Sequence, residues 1–256
     1  MLRGIYTAAS AMLVDQARMD VTSNNLANVN TAGFKQDQVV VESFRQMWLH
    51  ALEGDGTPVQ RQTHRPVGAL GTGAEVVRSY TRFTPGALQH TGNSLDVAIV
   101  GDGFFTVDTP QGVRYTRNGR FTANEEGLLV TSSGDPVLGV NGPITIAGNT
   151  VDIDSDGQVF VNNQLVDRLR IVTFANNAGL IKHAGQYFEA LEAAGLAQEA
   201  TGVTVSQGDW EQSNVNVISE MVNMINATRS YEASQRAIQA QDEALGKVVN
   251  EVGRLA

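Results

Sequence analysis

The residues best placed to do chemistry are three aspartates at alternate positions, Asp152, Asp154 and Asp156, followed by Gly157. This D-x-D-x-D-G pattern opens a calcium loop, where alternate carboxylates converge on one cation and the glycine permits the sharp turn. The twelfth position of such a loop should be a bidentate Glu, and here it is Asn163. The flanks, Val151-Asp152-Ile153 and Val159-Phe160-Val161, have strand character rather than helix character. The motif therefore reads as a hairpin turn, with a non-EF-hand cation site as the alternative. Gly101-Asp102-Gly103-Phe104-Phe105 has the look of a nucleotide loop but lacks the third glycine and the following helix. It reads as a turn between two strands. Gly68, Gly71 and Gly73 precede no Gly-Lys-Ser/Thr, so they form no phosphate loop. His50, His64, His90 and His183 are scattered, with no second His at i+3 or i+4. No nucleophile-elbow or zinc-protease motif occurs. The expectation is no catalytic residue, no cofactor and no metal. Two alternatives of other classes stand beside it. One is a cell-wall hydrolase, whose paired carboxylates need only meet in space, and the other is a calcium-dependent adhesin.

The elements around these motifs are more telling. The C-terminal segment carries Val217, Met221, Met224, Thr228, Tyr231, Gln235, Ile238, Asp242, Leu245, Val249 and Val252 at alternating steps of four and three. This is a heptad register, widened at its start by Val222 and Ile225. Asn216 is placed as an N-cap and Glu220 lies in the first turn, where the helix dipole favours an acid. The N-terminal segment repeats the pattern with Leu2, Ile5, Ala9, Met12, Gln16, Met19, Ser23 and Leu26. The periodicity stops at Asn28-Val29-Asn30-Thr31-Ala32-Gly33, an exit turn built from residues that tolerate left-handed backbone. The competing reading is that each apolar stripe merely faces its own core.

Between the helices the signals are those of short strands. Asn118-Gly119 between Tyr115-Thr116-Arg117 and Arg120-Phe121-Thr122 predicts a two-residue hairpin with a primed turn. Asp156-Gly157 and Asn162-Asn163 predict further turns, and Leu169–Phe174 predicts a strand. Residues 36–95 form a connecting stretch. It holds an amphipathic segment (Val40, Phe44, Met47, Trp48) and a Gly/Thr/Pro-rich run, Gly54 to Gly73, which reads as extended. With no βαβ alternation, the fold class is α+β. Paired coiled-coil-like terminal helices flank a central antiparallel β-rich domain. The expected division is 1–35 for the first helix and exit turn, 36–95 for the connection, 96–208 for the β-rich domain and 209–256 for the last helix.

Net charge is −9 over 256 residues, with 42% hydrophobic residues and no cysteine. Residues 96–209 hold fourteen Asp/Glu against six Lys/Arg, so the terminal helices are nearly neutral. An acidic chain is a poor partner for nucleic acid or anionic membrane. No apolar run is long enough to span a bilayer, and the N-terminus lacks the pattern of a cleaved secretory signal. Without cysteine, disulfides and thiolate metal sites are excluded.

Asn24-Asn25-Leu26-Ala27-Asn28-Val29-Asn30-Thr31-Ala32-Gly33-Phe34-Lys35 closely resembles the signature near the start of bacterial flagellar rod and hook proteins. Tyr6-Thr7-Ala8-Ala9-Ser10 is similar to the opening of the same family. So are Asp96–Ile99 with Gly101–Phe105, Tyr115–Gly119 with Phe121, and Glu211–Val217 with Glu220–Ile225 and Arg229–Glu232. These motifs fall in the family's order across nearly the whole chain, and residues 45–73 match least. The resemblance implies a structural subunit of the basal-body rod, closer in size to rod than to hook subunits. It implies an inner tube of terminal helices around an export channel, torque transmission to the hook, and export without signal cleavage by the flagellar type III apparatus. Partners would be copies of the chain and homologous rod or hook subunits. The seam would comprise Leu2, Ile5, Met12, Met19, Leu26, Val217, Met221, Met224, Tyr231, Ile238 and Leu245. Asn24, Asn25, Asn28, Gly33 and Phe34 would set the exit turn. The helices are expected to order fully only on assembly.

Overall fold

The structure is a computed structural model that describes residues 2–44, 47–52, 64–148, 150–183 and 186–252. The described chain starts with a 26-residue helix, α1 (Leu2–Ala27), and ends with a 36-residue helix, α2 (Val217–Val252). Neither contains proline. The side-chain oxygen of Asn216 accepts the Ser219 N–H at 3.0 Å, so Asn216 caps α2. At the other end of the chain, α1 stops where Asn28 turns its own side chain onto the Asn24 carbonyl at 2.9 Å. That bond offers the backbone an alternative to a further helical turn.

Between the helices the described residues form nineteen short strands, and every pairing whose register is resolved is antiparallel. In chain order they are β1 (Asp37–Ser43), β2 (Met47–Leu52), β3 (His64–Leu70), β4 (Ala74–Thr81), β5 (Leu88–His90), β6 (Val97–Val100), β7 (Phe104–Thr109), β8 (Gly112–Thr116), β9 (Phe121–Ala123) and β10 (Leu129–Thr131). There follow β11 (Val151–Ile153), β12 (Gln158–Val161), β13 (Gln164–Arg168), β14 (Ile171–Thr173), β15 (Leu180–His183), β16 (Tyr187–Ala190), β17 (Gln198–Glu199), β18 (Thr204–Gln207) and β19 (Asp209–Glu211).

The chain divides into two compact units. The first takes the described residues within 1–23, 38–80 and 221–256. It holds most of α1 and α2 and the two-stranded β1–β4 and β2–β3 sheets. Here Ser10 on α1 accepts the Ala74 N–H at 3.3 Å, and Thr7 donates to the Thr72 carbonyl at 3.3 Å, so the start of α1 rests on the start of β4. Of the residues read from sequence as an amphipathic segment, Val40 lies in β1 and Met47 and Trp48 lie in β2. Val39, Val40 and Val41 explain the strand, since branched side chains suit a pleated surface. Of the Gly54 to Gly73 run, residues 54–63 lie outside the described residues, and 64–70 form β3.

The second unit spans 24–37 and 81–220. Its six-stranded sheet runs β15-β16-β8-β7-β14-β17, beside a three-stranded β11-β12-β13 sheet and the pairs β9–β10, β6–β18 and β5–β19. One core gathers Val97, Phe105, Val107, Phe121, Leu129, Val137, Ile144 and Val159, among others. A second gathers Phe104, Val172, Phe174, Leu180 and Phe188, with Phe83 packed against it and rings edge-on or tilted at 5.1–6.0 Å. Fully burying each such ring contributes about 1.5–3 kcal/mol.

Two local readings hold and two change. Asp156-Gly157 joins β11 to β12, with Gly157 at φ 76°, and Asn162 and Asn163 take φ 51° and 65° in the turn to β13. The Asp154 carboxylate accepts the N–H groups of Asp156 and Gln158 at 3.0 and 2.8 Å, so it serves the turn. Asn118-Gly119 makes no hairpin. β8 pairs with β7 and β16, while β9 pairs with β10. A Cβ on Gly119 would overlap the Val97 carbonyl, and the Gly119 carbonyl accepts the Val97 N–H at 2.9 Å. Glycine is needed there for close approach, not for a primed turn. The predicted strand Leu169–Phe174 is interrupted before Ile171, because the Arg170 carbonyl is drawn to Thr106, accepting both its N–H and its hydroxyl at 3.2 and 3.0 Å.

Candidate assembly site

The surfaces that could drive assembly are the faces of α1 and α2, most of whose residues belong to the first unit. In α2 the less exposed residues are Val217, Glu220, Met224, Ala227, Tyr231, Ser234, Ile238, Gln241 and Leu245, at steps of three and four. Val217, Met224, Tyr231, Ile238 and Leu245 are the seam residues read from sequence. The companion position differs by one. Glu220, Ala227, Ser234 and Gln241 take it, while Met221, Thr228, Gln235 and Asp242 are exposed. In α1 the matching row is Ile5, Ala8, Met12, Asp15, Met19, Thr22 and Leu26, again with one position as read and the other displaced by one residue. Leu2 opens α1, but its side chain lies outside the described residues. The companion positions hold small or polar residues in either register, so no hydrophobic mark distinguishes Glu220, Ala227, Ser234 and Gln241 from Met221, Thr228, Gln235 and Asp242 beyond the single methionine.

α1 and α2 run in opposite directions. Gly4 lies against the Gln241 amide, where any Cβ would overlap it, and the Thr228 hydroxyl lies 3.6 Å from the Met19 sulfur. Small residues along both rows allow the close approach. On the far side of α2, Ile218, Met221, Val222 and Ile225 fall at i, i+3, i+4 and i+7, with 75%, 49%, 50% and 50% exposure. On α1, Tyr6 and Leu13 are 73% and 67% exposed.

Where the chain leaves α1, the second unit contains a buried polar junction. Asn25, 1% exposed, donates to the Asp37 carbonyl at 2.8 Å and accepts the Asp37 N–H at 3.0 Å, copying a strand pairing. Its amide also reaches Glu220 at 3.3 Å, and Gln36 donates to Glu220 at 2.8 Å. Asn24 is exposed, and its carbonyl accepts the Asn28 N–H and amide. Gly33 sits at φ 65°, gives its N–H to the Glu211 carbonyl at 2.7 Å, and presses on the Arg117–Asn118 peptide. Phe34 is 1% exposed beneath the Lys182 ammonium, 3.5 Å from its ring centroid. Lys182 also donates to the Lys35 carbonyl at 2.6 Å and pairs with Asp37 at 3.0 Å.

At the centre Lys35 pairs with Glu211 at 2.5 Å, their side chains 0% and 2% exposed. Arg117 Nη1 reaches the other Glu211 oxygen at 3.5 Å, and the Gly86 N–H donates to Glu211 at 2.8 Å. Desolvation lowers the pKa of both Lys35 and Arg117, and Glu211 partly restores it. The pairing of Lys35 with its buried counter-charge was invisible in sequence, since Lys35 and Glu211 are 176 positions apart. Among the described residues no group of three or more His, Cys, Asp or Glu could hold a metal ion, and no helix is long and apolar enough to cross a membrane.

Three family models match the chain. Residues 5–35 match "Flagella basal body rod protein", 98–161 match "Flagellar hook protein FlgE/F/G D1 domain", and 206–251 match "Flagellar basal body rod FlgEFG protein C-terminal". The flagellar basal-body rod protein FlgG of Borreliella burgdorferi is 37% identical over 96% of this chain and 97% of its own length. FlgG of Bacillus subtilis is 35% identical over 98% and 99%. The rod protein FlgF of Rhizobium meliloti is 32% identical over 99% of both. Relatives of this kind mark a structural protein of a motility organelle and not an enzyme. The chain belongs to the flagellar basal-body rod protein family, as a structural rod subunit located in the flagellar basal body. The three matched stretches each supply one member of the central charge cluster: Lys35, Arg117 and Glu211.

Proposed function

We propose that α1 and α2 are the polymerising surface, packing as coiled-coil-like pairs against copies of this chain and homologous rod or hook subunits. The result is a helical tube that encloses the export channel and transmits torque to the hook. The reading includes delivery of the chain by the flagellar export apparatus. The single observation that carries it is the exposed apolar row Ile218, Met221, Val222 and Ile225 on α2. A soluble monomer gains nothing from such a row, whereas a neighbour covering it recovers about 25 cal/mol per Å² of apolar surface. Repeating one heterologous contact by a screw operation yields an open filament, and the same burial in every subunit makes the tube stiff. Half-exposed helices also suit a subunit that completes its order only on joining the tube.

The test is motility and basal-body isolation from cells whose only copy carries Ile225→Asp on the outer row or Met224→Asp on the row facing α1. Rods should be missing while circular dichroism of the purified variant keeps its β signal. Normal swimming by both variants overturns the assignment. Limited proteolysis of the monomer addresses the ordering step: early loss of both ends, leaving a fragment near residues 36–208, is the expected result, and protected ends refute it.

A further inference from the structure

Two Asn-Gly pairs occur in the chain, Asn118-Gly119 and Asn141-Gly142, and the fold treats them in opposite ways. This dipeptide is chemically labile. With no side chain on the glycine, its backbone nitrogen can approach the asparagine side-chain carbon and attack it within the molecule. At Asn118 both partners of that attack are locked. The residue is 6% exposed, its amide donates to Gln186 Oε1 at 2.7 Å, and its Oδ1 accepts the Arg120 N–H at 3.0 Å. A Cβ on Gly119 would overlap the Val97 carbonyl. Asn141 instead lies at the tip of a turn closed by the Leu138–Pro143 bridge and by the Gly139 N–H, which donates to the Gly142 carbonyl at 2.7 Å. It is exposed, and a Cβ on Gly142 would meet nothing within 4 Å. Among the described residues the Gly142 N–H donates to no acceptor. The Asn141 side chain is restrained by the buried Asp167, whose carboxylate accepts the Asn141 backbone N–H at 3.1 Å and its amide at 2.9 Å.

We propose that Asn141 is a site of spontaneous deamidation, and that the reaction opens the 138–143 turn. The Gly142 nitrogen forms a bond to Asn141 Cγ, the Cγ–Nδ2 bond breaks, and ammonia leaves with the proton from Gly142. Water then hydrolyses the resulting succinimide at either carbonyl, giving aspartate or isoaspartate. The step needs water and no enzyme, metal or oxidant. The Asp167 bond engages Nδ2 rather than Cγ, so it slows the attack without blocking it. The product places a second carboxylate where the Asp167 carboxylate had accepted a hydrogen bond, replacing attraction by repulsion between like charges in a partly buried site. Isoaspartate also lengthens the main chain of the turn by one carbon.

The full chain is held in neutral buffer, folded or in urea, then digested with pepsin at acid pH, where the cyclisation is slow. Mass spectrometry with fragment ions assigned to each asparagine follows the amide-to-acid mass change. In urea both sites should convert at similar rates, because the dipeptide is the same. In the folded chain Asn141 should convert and Asn118 should lag behind it by at least about 10-fold, since a locked amide reacts only through local opening. An Asn141 that stays intact while the urea sample converts, or an Asn118 that keeps pace with it, overturns the proposal. The effect on the turn is read from Asn141→Asp, with Asn141→Gln as the neutral control. Asn141→Asp should melt below both the parent and Asn141→Gln; equal melting of the two variants refutes the opening of the turn.

Discussion

Replacing Glu211 by Leu tests the buried junction most sharply. The change removes the only carboxylate among the described residues within ion-pair distance of Lys35 and Arg117, whose side chains are 0% and 5% exposed. Lys35 is left with the Thr84 carbonyl at 3.1 Å, Arg117 with the Ile99 and Gly101 carbonyls, and the Gly86 N–H with no acceptor. Breaking a buried pair from one side costs about 3–5 kcal/mol, and an orphaned backbone donor adds about 1–3 kcal/mol. Since the terms overlap, a loss of at least about 4 kcal/mol is expected, much of the stability of a typical domain. Lys35→Met should cost less, about 3 kcal/mol, because Glu211 keeps Arg117 and Gly86. The double variant should be more stable than Glu211→Leu alone, since it no longer buries an unpaired ammonium. Urea unfolding followed by circular dichroism gives all three values. pH adds a second check. The folded pKa of Lys35 already lies below 10.5, through desolvation, and Glu211 is what raises it. Without Glu211 it falls further, so the unfolded chain holds the proton over a wider range and stability rises with pH through that range. Raising pH toward 10.5 should therefore recover part of the loss. A Glu211→Leu variant within about 1 kcal/mol of the parent, or a double variant equal to the sum of the singles, refutes the reasoning.

Gly33→Ala should destabilise by more than the 1–2 kcal/mol of a left-handed residue, because its Cβ would strike the Arg117–Asn118 peptide; a melting temperature unchanged within error would contradict the contact. Gly119→Ala should be at least as severe through its overlap with the Val97 carbonyl, whereas a true primed turn would be relieved by Asn at this position, so Gly119→Asn distinguishes the two geometries by thermal unfolding. Asp209 has its pKa depressed below 3.8, first by the Ser206 hydroxyl and then by His90. Its ionised form therefore adds stability that is complete above pH 3.8 and disappears as pH falls through the depressed value. Asp209→Asn should be less stable than the parent near neutrality and indistinguishable from it at the acid extreme; a deficit that persists at all pH values would contradict the linkage. Phe34→Ala, emptying a 1% exposed site under Lys182, should cost about 3–5 kcal/mol in the same unfolding assay.

The amino-acid order by itself determined the two long helices and one position of each heptad row. Ile5, Met12, Met19 and Leu26, with Val217, Met224, Tyr231, Ile238 and Leu245, are large and apolar, and a period of seven shows without a partner. It also determined the turns at Asp156-Gly157 and Asn162-Asn163, whose causes lie within a few bonds: a left-handed glycine or asparagine and an aspartate that binds the next N–H groups. The signature around Asn24–Lys35 was legible as a signature but not as a mechanism. Tertiary structure alone decided the companion positions of the rows. Glu220, Ala227, Ser234 and Gln241 gain their places from what lies opposite, and a small or polar residue carries no hydrophobic mark of burial. Tertiary structure also turned Asn118-Gly119 from a predicted hairpin into a crossing point, because the strand that crowds it begins at Val97, far outside any turn window. Most of all, it assembled Lys35, Arg117 and Glu211. A buried charge is stable only beside its opposite, and residues separated by 94 and 176 positions acquire that neighbour only when the chain has folded.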